Sequence, residues 1–211
     1  MCSEDDIRQT IIETLKPDFM HVLRSNLSWF EYKRSVENVA KHIPKNAKVV
    51  DVGCGVGYST RYLSLLRPDL RFYGLDIRYH DSWKKLETRN CKFIKADAMK
   101  LPFNNGEFDV VISFGVMEHV DDDRLFLNEI NRVLKKKGIN VISHLPNKYA
   151  FNELLARLSG NKYHKKRYDC AKIRRLMLEC GFKVEKIERD YILPLQYYKP
   201  VSYTHLTLPT N

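Results

Sequence analysis

Apolar positions along the chain switch between two periods. From residue 5 to residue 26 they recur at helical spacing, at Ile7, Ile11, Ile12, Leu15, Phe19, Val22 and Leu23. Pro17 predicts a kink or break near the middle of that helix. A second helix is predicted over 28–43. The pattern then alternates: strand 48–53, helix 58–66, strand 71–76, helix 81–88 and strand 91–96. It continues with strand 108–114, helix 123–137, strand 139–144, helices 150–158 and 169–179, and strand 182–192. Strands alternating with helices predict an α/β fold with a mostly parallel sheet and helices on both faces. Gly138 and Gly181 stand where a left-handed helix C-cap favours glycine.

The strand-to-helix turn at 51–57 reads Asp51-Val52-Gly53-Cys54-Gly55-Val56-Gly57. Alternate glycines let the backbone turn sharply and approach a ligand closely, because no Cβ intervenes. Loop N–H groups and the following helix N-terminus can then face that ligand. A tight turn with no ligand is the plainer alternative. The second strand ends in Asp76, 19 residues after Gly57. A carboxylate at that spacing suits a ribose diol; its plainer alternative is a turn or helix cap. A dinucleotide fingerprint reads GxGxxG, whereas this loop reads GxGxG, which disfavours a dehydrogenase.

Composition narrows the class. The chain has 211 residues, of which 44% are hydrophobic and 29% charged. That suits one soluble domain with a substantial core. The reading places N-terminal helices at 1–45 as part of a domain whose body is 46–200. No apolar run reaches membrane-spanning length, and the acidic N-terminus lacks a signal-peptide core. Five scattered cysteines without a CxxC pair read as reduced thiols in a cytoplasmic protein. Residues 1–131 hold 19 basic and 20 acidic side chains, whereas 132–211 hold 17 and 6. The basic clusters run from Arg132 to Lys137, from Lys162 to Arg167, and from Lys172 to Arg175. They would attract an anionic metabolite, acidic lipid or nucleic acid, or form a solvated face.

Five segments in order resemble the class I S-adenosylmethionine-dependent methyltransferases, in particular the small-molecule branch that includes quinone-biosynthesis enzymes. They are the glycine loop, Asp76, the stretch Phe93–Ala98 with Leu101-Pro102-Phe103, the stretch Phe108–Ser113 with Met117-Glu118-His119-Val120, and Glu129–Lys135 with Gly138. The resemblance spans roughly residues 28–192. It implies a Rossmann-like fold and S-adenosyl-L-methionine as cofactor. Asp51, Gly53, Gly55 and Gly57 would meet its methionine end. Asp76 would hold the ribose hydroxyls, with Ile77 beside it. Asp97 and Ala98 would hold the adenine, and Phe114 and Gly115 would lie near the sulfonium.

The implied activity is O- or C-methylation of a small-molecule or lipid-precursor acceptor. The alternatives are a non-catalytic cofactor-binding module, or an RNA methyltransferase using the basic C-terminal half. His119 and His144 lie at the carboxyl edge of the sheet, where substrates bind. Either could take a proton from an acceptor hydroxyl; a histidine that merely orients the loop is the alternative for His119. Trp29, Phe30 and Tyr32 form a lid or pack. Asp121-Asp122-Asp123 cap the next helix rather than bind metal. Cys54 points into the sheet. The motifs of base-modifying enzymes are missing after the fourth strand, so nucleic acid is disfavoured. A basic region after strand five fits an anionic acceptor or peripheral contact with a membrane.

Residues 201–211 read differently. Val201-Ser202-Tyr203-Thr204-His205-Leu206 resembles a translated transposase-type sequencing adaptor. The expectation is a non-native tail, a missing final antiparallel strand, and an unpaired edge on strand six that favours aggregation.

Overall fold

The computed structural model describes residue 6 and residues 26–147, 166–190 and 203–209; side chains at 26–33, 189–190 and 203–209 are outside the description. The first predicted helix, apart from Asp6, and the predicted helix 150–158 therefore lie outside it, as do the side chains of Trp29, Phe30 and Tyr32. The chain divides into two compact units, Met1–Ala96 and Asp97–Asn211.

In the first unit, α1 (Asn26–Lys41) is followed by β1 (Lys48–Val52), α2 (Tyr58–Leu66), β2 (Arg71–Asp76), the single turn α3 (Trp83–Leu86) and β3 (Cys91–Lys95). The strand order is β3-β2-β1, all parallel. Four of the five β1 residues, Val49 to Val52, are buried. Such continuous burial is what a parallel strand covered on both faces requires. Arg67, just past α2, donates to the carbonyls of Ala40 and Ile43 at 3.1 and 2.9 Å and to Pro44 at 3.3 Å. It thereby ties the end of α1 and the turn that follows it to the end of α2. Asp69 holds the same guanidinium at 2.8 Å, and Arg67 keeps its carboxyl low, at about 2.

In the second unit, β4 (Phe108–Phe114) leads to α4 (Asp123–Val133), β5 (Leu134–Ser143), α5 (Cys170–Glu179), β6 (Lys186–Asp190) and β7 (Tyr203–Pro209). The order is β4-β5-β7-β6. β4 and β5 are parallel, and β7 is antiparallel to both β5 and β6. α4 buries Phe126, Leu127, Ile130 and Val133 on one stripe. Arg132, next to that stripe, donates to Glu129 and to the carbonyls of Leu101 and Phe103. Glu129 in turn accepts from the Leu101 N–H at 2.7 Å, so the two side chains fasten the 101–105 loop to α4.

Three expectations are corrected. The helix expected over 123–137 stops at Val133, and Lys135–Lys137 belong to β5. Gly138 is not a left-handed cap, because Lys137 takes the positive φ of 64°. A Cβ on Gly138 would lie 2.9 Å from the Lys135 carbonyl oxygen and 3.1 Å from that of Asp109. The glycine permits close backbone approach where the register slips, Phe108 pairing with Leu134 but Val110 with Ile139. Finally, the antiparallel strand is present. Tyr203–Pro209 pairs Leu206 with Ile142 and with Ile187, between β5 and β6. Two facing strand edges offer a full ladder of backbone donors and acceptors to any extended segment of suitable length. Pro209 falls at the end of β7, where a lost N–H is tolerated. The unpaired β6 edge expected from the sequence is thus filled.

Gly181 does cap α5. Its φ is +82°, its N–H reaches Leu178 O at 3.1 Å, and Phe182 N–H reaches Met177 O at 2.9 Å. These are the paired bonds of a Schellman end. A Cβ there would also meet Asn131 Nδ2 at 2.9 Å, the group that donates to Cys180 O. Gly181→Ala is expected to cost upwards of about 1–2 kcal/mol in urea unfolding. Gly106→Ala, with φ +64° but no atom nearer than 3.9 Å, should cost less. Equal losses would show that Asn131 adds nothing.

Candidate functional site

The first unit holds the glycine loop. Gly53, Gly55 and Gly57 all have positive φ, at 77°, 54° and 92°. The three glycines do different things. Gly53 N–H is bonded to Leu75 O at 2.7 Å, which anchors the loop to β2. A Cβ on Gly57 would meet the Phe93 ring at 2.7 Å, and one on Gly74 would meet it at 2.5 Å. Those two glycines make room for the half-buried Phe93 ring. At Gly55 a Cβ would meet nothing within 4 Å, so this face of the loop is open.

Both carboxylates expected of this unit are beside the loop. Asp76 Oδ2 accepts from Gly55 N–H at 2.9 Å, and Oδ1 accepts from Arg78 N–H at 3.0 Å. Ile77, the next residue, is 61% exposed, an apolar surface at the strand tip. Asp51 is fully buried, opposite Gly74 in the register. Thr60 Oγ donates to its Oδ2 at 2.6 Å, whereas Oδ1 has no hydrogen-bond partner among the described residues. Burial pushes its carboxyl up to about 7; the Thr60 bond opposes this and the Asp76 charge adds to it.

Cys54 lies with Sγ 2.9 Å from where a Gly74 Cβ would stand, over β2. Burial raises its thiol well above the usual range and that of Cys91 to about 12. Neither is a nucleophile at neutral pH.

The second unit holds the other candidates. Asp97 Oδ1 accepts from Met99 N–H at 2.8 Å and its carbonyl accepts from Lys100 N–H, with half-buried Ala98 inside the turn. Phe114 ends β4, and Gly115 follows with φ +62°, its N–H on Ser143 O at 3.0 Å. That bond joins the ends of neighbouring parallel strands. It brings the 115–122 loop next to His144, whose ring is 5.5 Å from that of Phe114. His144 itself has a left-handed φ of 65°. His119 is 70% exposed, with Nε2 4.0 Å from Oε1 of buried Glu118. The structure therefore collects Phe114, Gly115, His119 and His144 at one strand edge.

Sequence reasoning did not identify what holds this loop. Lys166 Nζ donates to the carbonyls of Val120 and Asp121 and to Asp123 Oδ1, at 2.7, 3.1 and 2.6 Å. Tyr168 OH donates to Met117 O at 3.1 Å. Burial and the charge of Asp123 raise the Tyr168 pKa, so the hydroxyl stays a donor. Asp122 caps α4, accepting from Arg124 and Leu125 N–H, and Asp123 receives Lys166. The acidic triplet thus has structural work. Lys166, Arg132 and Lys135 also leave the expected anion patch: each faces a carboxylate.

Residues 50–142 match the protein family described as "Methyltransferase domain". The 2-methyl-6-phytyl-1,4-hydroquinone methyltransferase of Synechocystis is 36% identical over 48% of this chain and 33% of its own. The demethylmenaquinone methyltransferase of Thermotoga maritima is 38% identical over 54% and 49%. The chain therefore spans half or less of these relatives. Among solved structures, magnesium protoporphyrin IX methyltransferase from Synechocystis, with bound SAH, matches with a TM-score of 0.68 at 17% identity, covering 89% of this chain and 88% of its own. A SAM-dependent methyltransferase of Methanosarcina mazei matches with 0.67 at 14% identity, covering 82% and 96%. The fold expected from the sequence, Rossmann-like and of class I, is the fold of these structures.

Buried Asp51 generates a pH dependence. Its carboxyl value rises from 3.8 to about 7 on folding. Between those values the unfolded chain has released a proton that the folded chain keeps. Asp51 therefore opposes folding increasingly as pH rises through that window, and the effect levels off above it. At about 1.4 kcal/mol per unit this is on the order of 4 kcal/mol. Asp51→Asn should flatten the fall of the thermal midpoint between pH 4 and 7 and melt above the wild type at pH 8. Parallel curves for the two proteins would remove Asp51 as the cause.

Proposed function

We propose, for a chain whose residues 50–142 match the methyltransferase-domain family, that it transfers a methyl group to a small-molecule acceptor, with S-adenosyl-L-methionine as donor. The observation that carries this is the loop at Gly55. It has an open face, a ligated carboxylate at Asp76, an exposed apolar residue at Ile77, and an orphaned carboxyl oxygen of Asp51 buried near it. A zwitterionic nucleoside with a diol and an aromatic base suits that set. Asp76 would accept from the ribose hydroxyls, Ile77 would cover the base, and Asp97 with Ala98 would receive the adenine edge. Asp51, Gly53 and Gly57 would shape the methionine end, and Phe114 and Gly115 would border the sulfonium.

When bound, the cofactor supplies an electrophilic methyl carbon on a positive sulfur. The protein's task is then alignment, exclusion of water and removal of a proton. His119 is exposed enough to meet an acceptor. His144 follows the neighbouring strand. In this reading one of the two takes the proton from an acceptor hydroxyl as its oxygen, or the ring carbon it activates, is methylated.

The acceptor belongs to the ring-bearing small molecules. The names of the sequence relatives cite hydroquinone and menaquinone precursors. Charge supports this over nucleic acid, because part of the basic set is already paired inside the second unit. A lipid-like acceptor would bring the protein to a membrane surface. No described helix is long and apolar enough to cross one.

Titration calorimetry with S-adenosylhomocysteine, followed by transfer of labelled methyl to quinone and porphyrin precursors, tests the proposal. His119→Ala should lower turnover by about 10²–10⁴-fold if it is the base. Ligand affinity should hold, and stability should stay within about 0.5 kcal/mol because the side chain is exposed. His144→Asn, which keeps the left-handed backbone accessible, should do the same if His144 is the base. Full turnover in both variants would leave the reaction without either histidine.

A further inference from the structure

The segment just after β2 grips the glycine loop from outside. Trp83 Nε1–H donates to Gly55 O at 2.8 Å, and Ser82 Oγ–H donates to Val56 O at 2.8 Å. On the other side, Gly55 N–H is held by Asp76. The Gly55 residue is thus pinned at its backbone donor by Asp76, at the tip of β2, and at its backbone acceptor by Trp83, at the start of α3.

The grip has its own support. The Trp83 indole is 3% exposed and stacks on Phe93 with centroids 5.4 Å apart and planes at 16°. Tyr79 meets its edge at 5.5 Å. Phe93 in turn fills the space left by Gly57 and Gly74. The indole cannot swing away without opening a void in this stack. Its N–H is therefore a donor in a fixed place.

A glycine-rich loop left alone has the largest backbone freedom of any sequence, and ordering it on binding would cost affinity. With carbonyls 55 and 56 bonded to Trp83 and Ser82, those two oxygens are held from turning into the face that the Gly55 Cβ direction leaves open. An inward carbonyl would repel a ligand carboxylate.

We infer that Ser82 and Trp83 are positioning residues that preorganise the Gly53–Gly57 loop for a zwitterionic nucleoside ligand that carries a carboxylate. This rests on the S-adenosylmethionine reading above. They touch the loop, not the reacting atoms, so they act on affinity through backbone geometry.

Calorimetry with S-adenosylhomocysteine, and amide hydrogen exchange of the ligand-free protein, separate the outcomes. Trp83→Phe keeps a ring for the stack and removes the donor. It should weaken binding about tenfold and speed exchange at Gly55, while the thermal midpoint changes by only a few degrees. Ser82→Ala should weaken binding by less, and Ser82→Thr, which keeps the hydroxyl, should restore it. Should Trp83→Phe fold poorly, the Ser82 pair decides: an affinity loss in Ser82→Ala that Ser82→Thr restores supports the grip. Wild-type affinity in Ser82→Ala and Trp83→Phe would overturn it. Absence of binding by the wild type would instead overturn the cofactor reading itself.

Discussion

The loop of the first unit depends on a buried polar constraint more than on its glycines. Asp51 is enclosed, and among the described residues only Thr60 donates a hydrogen bond to it. Asp76 spends both oxygens on backbone N–H groups, at Gly55 and Arg78. A polar group removed from water must find partners or cost free energy. The loop conformation is the one in which most of those partners are found. Positive φ at three glycines makes that conformation accessible; the carboxylates and the aromatic stack select it.

Much of this was legible in the chain. Strand and helix periods placed β1 to β4, α2 and α5 within a few residues, because continuous apolar runs and amphipathic stripes are local signals. The glycine loop and Asp76 were singled out by residue type and spacing, and the post-β4 loop by the family resemblance and its place at the carboxyl edge of the sheet. What escaped was chemistry between segments distant in sequence. Lys166 reaches Val120, Asp121 and Asp123, and Tyr168 reaches Met117. Nothing local distinguishes that lysine from its neighbours in a basic run. Ser82 and Trp83 escaped for a similar reason, although Gly74 in mid-strand was a signal of close approach.

The errors have physical causes as well. Lys135, Lys136 and Lys137 look like a helix end, yet they extend β5 past a register slip, where Lys137 turns left-handed before Gly138. A strand at 203–209 was ruled out on the character of its residues, whereas pairing is decided by backbone hydrogen bonds and length. Any extended seven-residue segment within reach of two open edges competes well for them.

Phe93 makes two glycine positions hostage to one ring. A methyl at 57 or at 74 would run into the same ring, so the three sites are epistatic. A smaller residue at 93 would remove the ring from the path of a methyl at 74, leaving the Cys54 sulfur at 2.9 Å to give way, and the reverse order of changes would pass through a more strained intermediate. Along this lineage the glycines would then appear invariant for as long as the ring persists. Comparing sequences would credit the ligand with a restraint that belongs in part to a neighbouring side chain.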